Sequence, residues 1–329
     1  MVKTQYLKVD AVNPEDDKIQ QAARLIRAGE LVAFPTETVY GLGADAMNAE
    51  AAGNIFTAKG RPADHPLLVH ISRMEQAEAL VKHIPSEARL LMQQFWPGPL
   101  SIILPAREQV PEIIRGGFSG VGLRMPSHPV AMALINAAGP LAAPSANLYG
   151  RPSPTSAQHV QADLDGKIAA VLDAGETGSG LESTVLDMNG PMKILRRGGI
   201  PVEDIEDLLE CCLPAPDDRI TGQPAYKSLV QVILSERVEQ ITPMTRALQQ
   251  AGKAVGLVRM PDSDHTYPCH FIREYNLKLN ESGQSFFSIL RAAEQERIDA
   301  LIFEPPGSHL EGPGQAVIDR IRRAAAKQD

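Results

Sequence analysis

The sequence predicts an α/β fold in two domains, and three observations carry that reading. Short apolar strands alternate with amphipathic helices through the first 200 residues. A proline-rich, non-periodic stretch near 203–221 interrupts the pattern, after which a second, shorter alternation begins. At 329 residues, with 43% hydrophobic and 22% charged side chains, the chain can bury two cores and is not globally disordered.

Each element follows from local chemistry. Asn13-Pro14-Glu15-Asp16-Asp17 reads as a helix start, with Asn13 as cap, proline in the first turn and acids at the positive end of the dipole. Ile19, Ala22, Ala23 and Ile26 then recur at helical spacing, and Gly29 closes the helix. Strands are expected at 31–34, 66–71, 100–104, 169–173 and 183–187. Helices are expected at 85–96, with Leu90 and Leu91 inward, and at 129–138. Past the break, 229–233, 254–258 and 300–303 read as strands, 285–293 and 315–325 as helices. The expected division is residues 1–207, a linker over 208–228, and a smaller unit over 229–329.

Composition narrows the function. A net charge of −8 disfavours a broad nucleic-acid-coating or polybasic membrane surface. Three cysteines, two of them adjacent at Cys211 and Cys212, suit a reducing cytoplasm rather than a disulfide scaffold. The first 18 residues lack the apolar run of a secretory signal. The uncharged run 130–150 is broken by Pro140, Pro144, Ser145 and Asn147, so a soluble protein is expected.

Polar loops between the apolar strands hold the candidate chemistry: Pro35-Thr36-Glu37-Thr38 with Tyr40-Gly41-Leu42-Gly43, Lys59-Gly60-Arg61-Pro62, Val121-Gly122-Leu123-Arg124, Pro144-Ser145-Ala146-Asn147, Ser153-Pro154-Thr155, Glu182-Ser183-Thr184 and Leu195-Arg196-Arg197-Gly198. Hydroxyls, an amide and cations on glycine- and proline-shaped turns suit a phosphate-bearing ligand, although the same residues also dominate ordinary surface turns. No P-loop occurs. Gly41 to Ala46 fits G-x-G-x-x-A only weakly, because Thr36 to Tyr40 separate it from the preceding strand. His265, Cys269 and His270 lack the fourth ligand of a metal site, and no hydrolytic triad order is present.

In this order the stretches PTETVYGLGADA, KGRPADHPLLVHI, FWPGPLSIIL, VGLRMPSHP, APSANLYGRPSPTS, LESTVLDM and ILRRGGI resemble the YrdC-like family, specifically the two-domain threonylcarbamoyl-AMP synthases. The resemblance covers roughly residues 15–201 and continues more weakly through SILRAAEQERIDALIFEPP and GPGQAVIDRIRRAA. It implies a YrdC-like twisted, open mixed sheet with flanking helices and a small Rossmann-like C-terminal domain. The implied reaction takes L-threonine, bicarbonate or CO2, and ATP to threonylcarbamoyl-adenylate and pyrophosphate. The adenylate would feed threonylcarbamoyl transfer to adenosine in tRNA by other proteins, with Mg2+ on the ATP phosphates and no fixed protein ligands to it. By that resemblance Thr38, His70, Arg124 and Ser183 contact threonine. Lys59, Arg61, His65, Ser145, Asn147, Ser153 and Arg196 contact the nucleotide, with Lys59 and Arg61 as the catalytic cations.

Elementary chemistry agrees with that allocation. A carbamate oxygen must attack the α-phosphorus while pyrophosphate leaves, so two anions need cations and in-line positioning. No side chain is an obvious general base. The sequence departs from the longer family members in the linker, where Asp218 to Lys227 lack a His-Tyr pair, and in a looser Phe118-Ser119-Gly120. Two further readings compete: a non-catalytic RNA-binding or ribosome-associated YrdC-like protein, and a carbamoyl-transfer enzyme with another acceptor or donor.

Overall fold

The computed structural model describes residues 3–214, 228–261, 263–277, 285–307 and 312–326. The chain forms two compact units. The first comprises Met1–Tyr149, Ser153–Gly178 and Glu182–Gly222, and the second Gly150–Pro152, Ser179–Leu181 and Gln223–Asp329.

The first unit opens with β1 (Gln5–Lys8), α1 (Asp16–Arg27), β2 (Val32–Phe34), β3 (Gly41–Asp45) and α2 (Ala49–Lys59). Next come β4 (Leu68–His70), α3 (Met74–Leu80), α4 (Ser86–Phe95), β5 (Leu100–Pro105), the single turn α5 (Glu112–Arg115) and β6 (Gly120–Arg124). It closes with α6 (Pro129–Ala138), β7 (Leu141–Ala142), α7 (Ala157–Leu164), β8 (Ala170–Asp173), β9 (Thr184–Asp187), β10 (Lys193–Arg196) and α8 (Val202–Leu209). Among the described residues these strands make one mixed sheet in the order β1-β8-β2-β3-β7-β4-β6-β5-β9-β10. β3 runs antiparallel to both β2 and β7, whereas β4 with β6 and β5 with β9 are parallel pairs.

Helices cover the two faces of this sheet unequally. Ile55 of α2, Leu91 and Met92 of α4, Val160 of α7 and Ile205 of α8 share one core with Leu42, Val69, Leu100, Leu123 and Leu186 from the strands. On the opposite face, Ile19, Ala22, Ala23 and Ile26 of α1 pack with Val130, Leu134 and Ile135 of α6 over Val32, Phe34, Leu141 and Leu172. That second core reaches β1, β8, β2 and β7 but takes no residue from β6, β5, β9 or β10. Side chains alternate along a strand, so apolar Val69, Leu123, Leu100 and Leu186 leave His70, Arg124, Ser101 and Val185 on the other face. A polar surface is thereby built into one half of a hydrophobic sheet.

Local signals explain most helix ends. Asn48 caps α2 by accepting from the Glu50 and Ala51 N–H groups, and Gly60 ends it in the left-handed conformation. Asn13 does not cap α1. Glu15 is the cap residue, because the Asp10 carboxylate takes the Val12 and Asn13 N–H groups at 2.9 and 2.7 Å and holds that segment as a turn. In α4 the inward positions are Ala88, Leu91 and Met92, at helical spacing, and Leu90 is exposed. The Gly41–Asp45 stretch is a buried strand rather than a phosphate turn. A Cβ on Gly43 would stand 2.9 Å from the Phe34 ring, so glycine here serves close strand packing.

The boundary expected after residue 207 falls inside α8, and residues 215–227 of the expected linker lie outside the described residues. The second unit contains β11 (Gln231–Leu234), α9 (Val238–Gln250), β12 (Val255–Arg259), β13 (Arg273–Asn276), α10 (Phe286–Gln295), β14 (Ala300–Phe303) and α11 (Pro313–Ala325). Its strands are all parallel, in the order β11-β14-β12-β13. Arg151 pairs with Glu294 within this unit at 2.8 Å. His265, Cys269 and His270 lie between β12 and β13. Among the described residues no three His, Cys, Asp or Glu side chains gather as a metal site. No described helix is long and apolar enough to cross a membrane.

Candidate active site

The polar patch starts in the turn joining β2 to β3. The Thr36 hydroxyl donates to the Val39 carbonyl at 2.7 Å and accepts the Thr38 and Val39 N–H groups at 3.2 Å. Its single proton is therefore spent, so across the 2.7 Å contact between the two hydroxyls Thr38 is the donor. That leaves the Thr38 oxygen lone pairs for Arg124, whose Nη2 donates to it at 3.0 Å. Arg124 ends β6, is buried, and also donates from Nε to the Gly98 carbonyl at 3.4 Å. Its counter-charge is Glu37, with Oε1 2.8 Å from Nη2.

His70 ends β4 at the position paired with Arg124. Burial, and secondly the Arg124 charge, push its pKa down to about 3, so the imidazole is neutral at physiological pH. Its Nδ1 is buried without a hydrogen-bond partner. The ring meets Phe34 edge-on, with centroids 6.2 Å apart.

Two strands from β6, at the entrance to β9, the Ser183 hydroxyl sits 2.8 Å from that of Ser101 and accepts from Arg196 Nη2 at 3.0 Å. Arg196 Nε also donates to the Ser183 carbonyl at 2.9 Å. Glycines make this approach possible. A Cβ on Gly198 would press into the Glu182 carbonyl and the Ser183–Thr184 peptide, and one on Gly199 would lie 2.9 Å from the Pro99 ring. The Arg-Arg-Gly-Gly run thus lays an arginine-bearing backbone directly against the entrance to β9.

A second cluster forms at the C-terminal end of α2. Lys59 is not a solvated loop residue: it is the last residue of the helix, buried, and its ammonium donates to the Ser145 and Asn147 carbonyls. The Lys59 carbonyl in turn accepts the Tyr149 N–H at 2.8 Å, which ties the 145–149 loop to the helix end. Arg61 donates to the Pro66 carbonyl at 3.0 Å, and burial lowers its pKa. His65 packs edge-on against Tyr149 with centroids 5.8 Å apart. Ser153 is buried and donates to Glu182 at 3.1 Å.

Main-chain bonds join the two clusters. Leu42 N–H donates to the Pro144 carbonyl, Ala146 N–H to the Tyr40 carbonyl and Tyr40 N–H to the Pro154 carbonyl. The structure therefore brings Thr38, His70 and Arg124 together, Ser183 with Arg196, and Lys59 with Ser145 and Asn147. Sequence reasoning passed over Glu37, Ser101 and Glu182. Glu37 and Glu182 lie inside motifs singled out for their neighbours, and Ser101 is the lone polar residue in an apolar strand.

Residues 24–198 match the family described as Sua5, YciO and YrdC, "Telomere recombination", and residues 201–326 match the threonylcarbamoyl-AMP synthase C-terminal domain. The threonylcarbamoyl-AMP synthase of Pyrococcus abyssi is 41% identical over 330 residues, covering 94% of this chain and 95% of the relative. That of Bacillus subtilis is 38% identical over 335 residues, covering 96% and 95%. The crystal structure of P. abyssi Sua5 complexed with L-threonine superposes with a TM-score of 0.89 at 39% identity over 98% of each chain.

Proposed function

The chain belongs to the two-domain threonylcarbamoyl-AMP synthases of the YrdC-like family, and from that premise we propose how its site works. It makes L-threonylcarbamoyl-adenylate from L-threonine, bicarbonate or CO2, and ATP. The threonine ammonium gives up a proton to solvent, and its nitrogen bonds to the CO2 carbon with release of a second proton. A carbamate oxygen bonds to the α-phosphorus, and the bond from that phosphorus to pyrophosphate breaks. The adenylate then serves the proteins that modify adenosine in tRNA, in the cytoplasm. The free, unpaired Cys211, Cys212 and Cys269 accord with that compartment.

The observation that carries this reading is the buried Thr38–Arg124 contact beside neutral His70, in a chain matching a threonine-bound relative over 98% of its length. A planar guanidinium at the end of β6 can grip the threonine carboxylate in a two-pronged fork. His70, neutral and with a buried Nδ1 unsatisfied, can hydrogen-bond the threonine hydroxyl without adding charge. Ser183, fixed by Ser101 and Arg196, adds a further hydroxyl.

Lys59, Arg61 and Arg196 supply positive charge for the phosphates, with His65, Ser145, Asn147 and Ser153 around the remaining nucleotide. Lys59 donates to the Ser145 and Asn147 carbonyls and so holds the 145–147 loop in place, with a cationic group at the end of α2. Mg2+ enters as MgATP, part of the substrate. The donors at the nucleotide cluster are cations, hydroxyls and an amide, which suit phosphate oxygens rather than a resident metal.

Pyrophosphate release, measured with each component left out in turn, tests the reading. Release should require ATP, Mg2+, bicarbonate and L-threonine together. Release indifferent to threonine would favour carbamoyl transfer to another acceptor, and no release at all would favour a binding protein.

A further inference from the structure

The Glu37 carboxylate has no role in the mechanism above, yet it is the charge closest to the proposed threonine anchor. It stands between Thr36 and Thr38 in a turn that the Thr36 hydroxyl locks with three main-chain bonds, so its backbone is fixed. Both carboxylate oxygens are buried, and neither accepts a hydrogen bond. The ion pair to Arg124 Nη2 at 2.8 Å is the compensation that is present. A buried carboxylate is ordinarily ringed by donors. The other titratable group facing it is His128, whose Nδ1 is committed to the Val130 N–H as the cap of α6. Burial lowers the pKa of that histidine, so it supplies no second cation at neutral pH.

This arrangement conflicts with simple capture of an anion. A substrate carboxylate that takes over the Arg124 fork weakens the one ion pair Glu37 makes among the described residues and leaves a buried charge exposed to its full desolvation cost. A plain carboxylic acid would meet that penalty in full. An amino acid would not, because its α-ammonium sits one carbon from its carboxylate and can replace what Glu37 loses. The Glu37–Arg124 pair thus has the polarity and spacing of a socket for a zwitterion.

We propose that Glu37 is the receptor for the α-ammonium of the amino-acid substrate, so that substrate binding exchanges one buried ion pair for two. This rests on the threonine reading of the Arg124 site and adds to it the group that selects α-amino acids over α-hydroxy acids. Glu37 then also fixes the nitrogen that must meet CO2, with the side-chain hydroxyl left to His70 and Ser183.

Calorimetry on the full-length chain tests this with L-threonine, N-acetyl-L-threonine, the 2,3-dihydroxybutanoate of matching configuration, and ATP. The wild type should prefer threonine to both analogues by tenfold or more. In Glu37→Gln the affinity for threonine should fall by about tenfold to a hundredfold, the range for one charged hydrogen bond. Affinity for the hydroxy acid should hold or rise, because glutamine no longer competes for Arg124, and ATP affinity should stay within about twofold. Glu37→Asp, which keeps the charge, should retain part of the preference. A wild type without preference, a Glu37→Gln chain that keeps it, or equal loss in the Gln and Asp variants overturns the proposal. A wild type that binds no threonine at all overturns the functional reading beneath it instead.

Discussion

His70 and Arg124 occupy paired positions at the ends of the parallel strands β4 and β6, side by side on the polar face of the sheet. The imidazole is buried, and its pKa is pushed down to about 3, first by burial and then by the arginine charge. A protonated His70 would place two cations next to each other without solvent.

The consequence for pH is directional. Above the ordinary histidine value near 6.5, folded and unfolded chains both leave this ring neutral. Between there and about 3 the unfolded chain binds a proton that the native one does not, so stability falls as pH falls through that window. One such proton corresponds to a slope of about 1.4 kcal/mol per pH unit. Urea unfolding at pH 4 to 7 should show that wild type loses more stability on acidification than His70→Asn, by close to that slope. Equal slopes would mean that the ring titrates normally.

Arg124 serves Glu37, Thr38 and Gly98 at once, which a lysine point charge cannot do. Arg124→Lys should therefore weaken L-threonine binding by tenfold or more while ATP affinity changes little. The thermal midpoint should also drop, consistent with about 1–3 kcal/mol for breaking charged hydrogen bonds in a buried setting. Titrating both ligands decides the assignment, since a loss confined to ATP would place this arginine at the nucleotide.

Lys59 and Arg61 should separate by stability rather than by turnover. Removing either charge is expected to lower turnover by on the order of a hundredfold, as for loss of one group that stabilises transition-state charge. Lys59→Met also releases the Ser145 and Asn147 carbonyls from a buried ammonium, whereas Arg61 is half-buried and holds one carbonyl. We expect Lys59→Met to lower the thermal midpoint markedly and Arg61→Ala to lower it little. Parallel melting curves and pyrophosphate assays check both halves.

Much of this was legible in the sequence, and the exceptions have physical causes. Strands such as Leu100–Pro105 and Ala300–Phe303 announce themselves by apolar, β-branched runs, and α6 by a proline in its first turn and a closing glycine. β3 does not, because GLGAD has poor strand propensity and is extended only through pairing with β2 and β7. The cations and hydroxyls of the site stand out as residue types. Their partners do not: Lys59 finds its acceptors 86 and 88 residues away, and Ser183 meets Ser101 across 82. Glu37 reads as an ordinary turn acid until Arg124 is placed beside it.

Gly198 offers the most local test of how the loops build the site. Its backbone lies against the Glu182 carbonyl and the Ser183–Thr184 peptide, with no room for even one added carbon. The obstructing atoms are main chain, so no side-chain rotation relieves the clash. Gly198→Ala must instead push the Arg196–Gly199 segment away from β9. That movement would stretch the Arg196 bonds to the Ser183 carbonyl and hydroxyl and loosen the Gly199 N–H bond to the Glu182 carbonyl. Overpacking of this kind costs about 1–3 kcal/mol, with more where backbone must shift. We expect a lower thermal midpoint together with a rise in the KM for L-threonine. Gly190→Ala, where an added Cβ meets nothing within 4 Å, is the control and should leave both unchanged. A Gly198→Ala chain with wild-type KM would show that Ser183 and Arg196 are held independently of the glycine turn.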